Sequence, residues 1–214
     1  MTEIDLTRLS EVRDLGILFK SNLCFETHID SLIAKAKQRL YLIQKSFTSS
    51  DCYALVLAFK SYVIPLLEYC SPVWSPSHIG SILRIESVQW LFIKYLSICS
   101  DCSSYSERLL VCDLVSLERR RLIADLVLFY KIVHKMVFID LDETLIPLSA
   151  SIARGHSRCF RVPIARTNLR NVFFTNRTIR VWNNLTEVIV SADSIKTFKT
   201  LLSNVDLSNY LVFN

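Results

Sequence analysis

Glycine is scarce in this chain of 214 residues, which contains only Gly16, Gly80 and Gly155. Because these three stand far apart, no G-x-G-x-x-G motif and no P-loop can form, and both nucleotide-cradling loops are excluded. Long apolar runs are also lacking, since charged residues interrupt the two longest stretches, 54–74 and 124–139. The sequence therefore predicts no membrane span and no membrane partner.

A disulfide framework is not expected, because the seven cysteines are odd in number and widely spread. We therefore expect a reducing, intracellular location, either cytoplasmic or nuclear. Cys99 and Cys102 form a C-x-x-C motif with Cys112 ten residues further on, which is compatible with zinc. A closed structural site needs four ligands, and no second paired ligand follows. We favour loop or core cysteines and predict no bound metal.

Apolar residues recur at steps of three and four through residues 114–137, the stretch around which the chain is organised. This spacing predicts the longest amphipathic helix of the sequence, with one broad buried face. On one edge Arg121 can pair with Glu118 and Asp125, because the three residues are three and four positions apart. Arg119 and Arg120 point elsewhere, and either start a solvated helix or face a phosphate backbone.

The remaining pattern predicts a mainly α fold with a small N-terminal β-hairpin and an Arg-rich, partly irregular C-terminal extension. The hairpin is expected from strand formers at 12–19, a turn at 20–22 and a second strand at 23–25. A first helix should begin near Thr27 and bury an apolar stripe. Further helices are expected from Asp51 to a break at Pro65, at 77–96, at 105–111 after Ser104, and after Ser194.

Positive charge is concentrated between residues 151 and 180, which hold seven arginines, no lysine and no acid, whereas the rest of the chain is slightly acidic. Arginine offers a planar fork suited to phosphates, so a polyanionic partner is one interpretation. The other interpretation is that these arginines pair with acids on the helical part. A smaller basic group, Lys35, Lys37 and Arg39, lies on the polar face of the first predicted helix.

The segment FIDLDET at residues 138–144 is similar to the nucleophile motif of haloacid-dehalogenase-type phosphatases. In that interpretation Asp140 attacks phosphorus and Asp142 acts as acid and base. Such enzymes also need a downstream pair of carboxylates for magnesium, and only isolated acids follow Thr144. A short motif without its structural context is a weak hypothesis, so phosphatase chemistry is kept as a minor alternative.

Six blocks, in order and spread over nearly the whole chain, resemble the C-terminal part of reverse transcriptases of LINE-type, non-long-terminal-repeat retrotransposons, especially the jockey-like branch. They are DLGILFKSNLCFETHI (14–29), FKSYVIPLLEYCSPVWSP (59–76), YSERL (105–109), SLERRRLIADL (116–126), RTNLRNVFFTNRTIRVWNNL (166–185) and SIKTFKTLL (194–202).

The resemblance implies three parts: the end of a polymerase palm at 1–26, a helical thumb-like domain at 27–137 and a basic extension at 138–214. It also implies RNA or an RNA/DNA hybrid as partner, and the palm and fingers of a parent polymerase as a further one. The family's centre holds two magnesium ions on an Asp-Asp pair and an earlier Asp, and this chain has no Asp-Asp pair. No cofactor is therefore expected here, and Mg²⁺ would belong to the palm.

A thumb holds its template and primer chiefly through phosphate contacts, which are sequence-independent and salt-sensitive. The chain alone should then bind nucleic acid without polymerising DNA, as the remnant of a larger element. The candidate contact residues are Lys35, Lys37, Arg39, Arg119, Arg120, Arg154, Arg158, Arg161, Arg166 and Arg170. The alternative is a helical protein-interaction module, or a relic without function. Trp182 and Phe174 are expected to be core anchors rather than surfaces on which bases stack.

Overall fold

The computed structural model describes residues 9–47, 51–96, 104–139, 145–148 and 155–213. These residues are mainly helical and include one small antiparallel sheet near the N-terminus, which confirms the predicted fold class. The elements are β1 (Glu11–Asp14), β2 (Ile17–Lys20), α1 (Glu26–Ser46), α2 (Cys52–Tyr62), α3 (Ile64–Glu68), α4 (Ser71–Trp74), α5 (Ile79–Leu96), α6 (Tyr105–Val111), α7 (Leu117–Val133), α8 (Asn168–Val172), α9 (Phe174–Trp182), α10 (Glu187–Val190) and α11 (Ile195–Ser203). None of the described helices combines the length and the apolar character that crossing a bilayer requires.

The N-terminal hairpin turns at Leu15 and Gly16, inside the predicted first strand. Residues 20–22 do form a turn, in which the backbone N–H of Leu23 donates to the carbonyl oxygen of Lys20 at 2.8 Å. This turn leads towards α1 and not into a second strand, so the predicted strand at 23–25 is wrong. β1 and β2 pair antiparallel, with Asp14 opposite Ile17. Both turn residues have positive φ, 45° for Leu15 and 85° for Gly16. Two-residue turns with this backbone match the twist of a hairpin, and glycine adopts it without a steric penalty.

Helix α7 is shorter than predicted, because local backbone chemistry ends it on both sides. The side chain of Ser116 accepts a hydrogen bond from the Arg119 backbone and caps the N-terminus. At the other end Lys135 has a φ of 54°, which no helix can continue. With 17 residues α7 is also shorter than α1, which has 21, so the prediction of the longest helix is wrong.

The chain forms two compact units, and the first consists of the described residues within 1–69 and 78–113. In this unit α1 packs on α3 and α5, and the rings of Phe59 and Phe92 stack with centroids 4.1 Å apart. The predicted break near Pro65 is present: α2 ends at Tyr62, and Pro65 lies in the first turn of α3. The predicted apolar stripe of α1 is confirmed by the burial of Ile29, Leu32, Ile33, Ala36, Leu40 and Ile43.

The second unit consists of the described residues within 70–77 and 114–214. Here α7 packs against α4, α9 and α11. Its core contains several aromatic side chains. The ring centroids of Trp182 and Phe129 are 5.1 Å apart, and the ring of Tyr130 stacks on that of Phe198. Trp182 is fully buried, which confirms it as a core anchor. The division of the chain into a palm end, a thumb-like domain and a basic extension, with boundaries after residues 26 and 137, follows from the resemblance and stays a prediction.

Candidate nucleic-acid interface

The basic residues of α1 lie on its solvent-exposed face, opposite the buried stripe. Lys35 and Lys37 are two positions apart, so they flank this face at about 160° from one another around the helix axis. Neither makes a hydrogen bond or an ion pair with another described residue. Arg39 differs, since its Nη1 donates to the carbonyl oxygen of Tyr62 at 3.0 Å. Of the three predicted contact residues on α1, the two lysines are thus the ones that are open to a ligand.

Arg119 stabilises the packing of the second unit. Its Nη2 donates to the carbonyl oxygens of Ser203, at 3.1 Å, and Val205, at 2.8 Å. These carbonyls lie at the C-terminal end of α11, where the last turn of a helix leaves acceptors unsatisfied and favours a positive charge. Arg120, the neighbouring candidate, is half-buried. The sequence predicted that both residues point away from the edge of Arg121, towards solvent or a phosphate backbone, and did not predict this cap.

Two arginines of the basic segment, Arg161 and Arg166, extend into solvent. Both side chains are exposed, and neither is hydrogen-bonded or ion-paired within the described part of the chain. The backbone N–H of Arg161 donates to the carbonyl oxygen of Ile146, which fixes the position of this arginine on the unit. Arg154 lies outside the described residues.

The other arginines of the segment contact neighbours in the second unit. Nη1 of Arg158 lies 2.7 Å from Nε2 of His134. The guanidinium of Arg170 lies over the ring of Phe173, 5.5 Å from its centroid, in a cation–π contact. Arg180 is exposed and donates through Nη2 to Oδ1 of Asn171. Arg158 and Arg170 are half-buried, so they are less accessible to a polyanion than Arg161 and Arg166.

Arg177 pairs with an acid, as the alternative interpretation of the segment predicts. Its Nε and Nη2 donate to the two carboxylate oxygens of Asp125 on α7. Arg121, one turn before Asp125, is equally buried, and both are 2% exposed. The sequence placed Arg121 and Asp125 together but did not show that they are buried, because their spacing is the same in a solvated ion pair. No feature of the sequence singled out Arg177, among the seven arginines of the segment, as the partner of Asp125.

Burial and pairing act in opposite directions on Asp125. Loss of hydration raises the pKa of the Asp125 carboxyl, while the hydrogen bonds and charge of Arg177, and then the charge of Arg121, act to lower this pKa. A buried carboxylate without its cation would be far less stable than a solvated one. The cluster of Arg121, Asp125 and Arg177 is therefore first of all a structural feature of the second unit.

The two predicted motifs with possible metal or phosphate chemistry lie outside the described residues. They are Asp140, Asp142 and Thr144 of the phosphatase-like segment, and Cys99 and Cys102 of the C-x-x-C motif. Cys112 is buried and forms no disulfide. In the part of the chain that the structure describes, no three His, Cys, Asp or Glu side chains come close enough to hold a metal ion.

We compared the chain with known protein families, curated proteins and solved structures. No model of a protein family, no curated protein and no solved structure matches this chain.

Proposed function

We propose that this chain is the C-terminal part of an RNA-directed DNA polymerase of a non-LTR retrotransposon, and that it binds template and primer without a catalytic centre of its own. The ordered sequence blocks between residues 14 and 202 carry this proposal. The absence of an Asp-Asp pair from the sequence is consistent with a catalytic centre located elsewhere in such a polymerase.

The exposed cations support a contact with phosphates. Among the predicted contact residues, those that are exposed and make no hydrogen bond or ion pair with a described residue are Lys35 and Lys37 in the first unit and Arg161 and Arg166 in the second. None of the four is engaged by a described acid, so no internal ion pair has to be broken when a phosphate binds. Contacts of this kind carry no sequence information, and each releases counterions from the nucleic acid. The proposed binding is therefore independent of sequence and dependent on salt.

The test measures the affinity of the purified full chain for a fluorescently labelled RNA/DNA hybrid by anisotropy, at 50 and 200 mM salt. With about four phosphate contacts, affinity should fall on the order of 100-fold over this range. Two double variants, Lys35→Gln/Lys37→Gln and Arg161→Gln/Arg166→Gln, should each bind more weakly. Each should also reduce the slope of log affinity against log salt by about 2.

The matched control is Lys196→Gln/Lys199→Gln on α11, where both lysines are exposed and the change in net charge is the same. Its salt slope should stay that of the unchanged chain. A folded chain that does not bind the hybrid would contradict the proposal. An equal loss in all three double variants would mean that only net charge matters, and would contradict the assigned contacts.

A second candidate is a helical protein-interaction module without a nucleic-acid partner. The Arg177–Asp125 pair favours it, because in that hypothesis the arginines serve the fold. It predicts that the same hybrid titration shows no salt-dependent binding, and that all three double variants behave like the unchanged chain.

A further inference from the structure

A cavity of about 440 Å³ opens in the second unit, between α7, α9, the residues after α4 and the C-terminal residues Tyr210 and Leu211. This volume lies within the range of small-molecule sites in proteins. Three arginines line the cavity: Arg121 and Arg177 beside Asp125, and Arg180 one turn further along α9. Arg121 is 2% exposed, so it belongs to the inner wall, whereas Arg180 is exposed and belongs to the rim.

The charges lining this cavity leave an excess of one positive charge. Its two acids are Asp125 and Glu118. Asp125 accepts both hydrogen bonds of Arg177, and one carboxylate oxygen of Glu118 accepts the backbone N–H groups of Val212, at 2.9 Å, and Phe213, at 3.1 Å. Both acids are thus engaged by the protein, and the cavity favours an anion.

Two donors at the cavity are available to an anion. Arg180 donates through Nη2 to Asn171, and the described residues provide no other hydrogen-bond acceptor for its guanidinium. The hydroxyl of Tyr210 accepts a hydrogen bond of 2.7 Å from Nδ2 of Asn184, which leaves its own proton to donate. A guanidinium and a phenol together match the oxygens of a phosphate group.

The remaining walls are formed by Ser75 and by four apolar residues, Pro76, Leu122, Val181 and Leu211. An inorganic ion would leave these walls in contact with water. A phosphate that carries an organic group, such as a nucleoside, would cover them and gain from their burial.

We propose that this cavity binds the phosphate of a nucleotide, with Arg180 and Tyr210 donating to the phosphate oxygens and Arg121 and Arg177 supplying positive charge. The phosphate is either a free monoester or a phosphodiester of a nucleic-acid strand. The inference does not rest on the function proposed above, because a free nucleotide could occupy the cavity in a chain that binds no hybrid.

The test is isothermal titration of the full chain with adenosine 5′-monophosphate, with adenosine, and with a short single-stranded oligonucleotide without terminal phosphates. We expect saturable one-to-one binding of at least one phosphate-containing probe, and at least tenfold weaker binding of adenosine. Arg180→Gln should weaken the binding of the phosphate-containing probe at least tenfold, and Tyr210→Phe should weaken this binding measurably. The matched control is Lys199→Gln, an exposed cation of the same unit that neither lines the cavity nor belongs to the proposed hybrid contacts, and it should change affinity less than twofold.

Each outcome decides the proposal. Binding of the monophosphate that depends on Arg180 supports a monoester site. Binding of the oligonucleotide alone, with the same dependence, supports a phosphodiester site. The proposal is overturned if neither phosphate-containing probe saturates, if adenosine binds as well as its monophosphate, or if Lys199→Gln lowers the affinity as much as Arg180→Gln. Circular dichroism of each variant verifies that the chain is folded.

Discussion

Two hydrogen bonds join Arg177 to Asp125, with Nε 2.8 Å from Oδ2 and Nη2 3.1 Å from Oδ1. The same guanidinium donates to the carbonyl oxygens of Val172 and Pro72. One side chain of α9 therefore contacts α7, the end of α8 and the α4 segment of the second unit. A planar group with several donors in fixed positions is suited to this role, and lysine could not replace it.

Loss of the Arg177 guanidinium should destabilise the second unit strongly. In Arg177→Met the buried carboxylate of Asp125 loses the cation that hydrogen-bonds both of its oxygens, and breaking a buried pair typically costs about 3–5 kcal/mol. Urea unfolding at neutral pH measures the change in the free energy of unfolding. Arg180→Met is the control, since Arg180 is exposed on the same helix, and we expect it to cost less than about 1 kcal/mol. Equal stability of the two variants would refute the structural role of Arg177.

The stability of the first unit should fall as the pH is lowered. His28 is buried, and its Nδ1 accepts a hydrogen bond from the Leu18 backbone. Burial first, and then the charges of Lys35 and Arg13, lower the pKa of His28 below its ordinary value of 6.5. The folded chain then binds fewer protons than the unfolded chain. The contribution of His28 is therefore complete above pH 6.5 and is lost as the pH falls from there towards the folded-state pKa.

Urea midpoints at pH 7 and pH 5 test this dependence. His28→Gln should show a smaller loss of stability between the two pH values than the unchanged chain. His78→Gln changes an exposed histidine of the same unit and should leave the loss as it is. If His28→Gln retains the full loss, other groups cause the pH dependence.

The hairpin turn offers a stabilising substitution. Leu15 has a φ of 45° and is 79% exposed, so it pays the steric cost of a left-handed backbone without contributing to the core. Leu15→Asn produces the Asn-Gly sequence that such turns prefer and should stabilise the first unit by roughly 0.5–1 kcal/mol. Gly16→Ala should have the opposite effect, with a cost of about 1 kcal/mol. Thermal unfolding compares the two, and a lower midpoint for Leu15→Asn would be inconsistent with this turn.

The start of α6 should depend on a capping box. The Oγ of Ser104 accepts from the Glu107 backbone at 3.2 Å, and the Glu107 carboxylate accepts from the Ser104 backbone at 3.3 Å. Ser104→Ala removes one half of this exchange and should cost about 1 kcal/mol. Hydrogen exchange of the α6 amides should accelerate accordingly. Ser106→Ala, within the first turn but outside the box, is the control, and equal acceleration in both would exclude the cap.

Predictions from the sequence succeeded where the cause is local. The buried stripe of α1 follows from spacing within one helix, and the caps Asp51, Ser104 and Ser194 follow from hydroxyl and carboxylate chemistry within three residues. The hairpin was expected, but its turn was placed five residues too late. The positive φ of residues 15 and 16 determines where the hairpin turns. Leucine is not a typical residue for such a turn, so the sequence Leu15-Gly16 did not indicate it.

The candidate site was only partly predictable, because exposure depends on distant partners. Lys35, Lys37, Arg161 and Arg166 are exposed, as a phosphate-binding surface requires. Arg119 instead caps α11 through residues 84 and 86 positions away, and Arg177 reaches Asp125 across 52 positions. No periodicity or local motif encodes such contacts.

The sequence by itself determined the helical class, the buried faces and the concentration of arginine between 151 and 180, because periodicity and composition act within a few residues. Only the tertiary structure decided which arginines are committed to the fold, since an arginine becomes a structural residue when packing brings an acid or a carbonyl within reach of it. It also decided that Arg121, Arg177 and Arg180 share one cavity, which arises from the packing of α7 against α9.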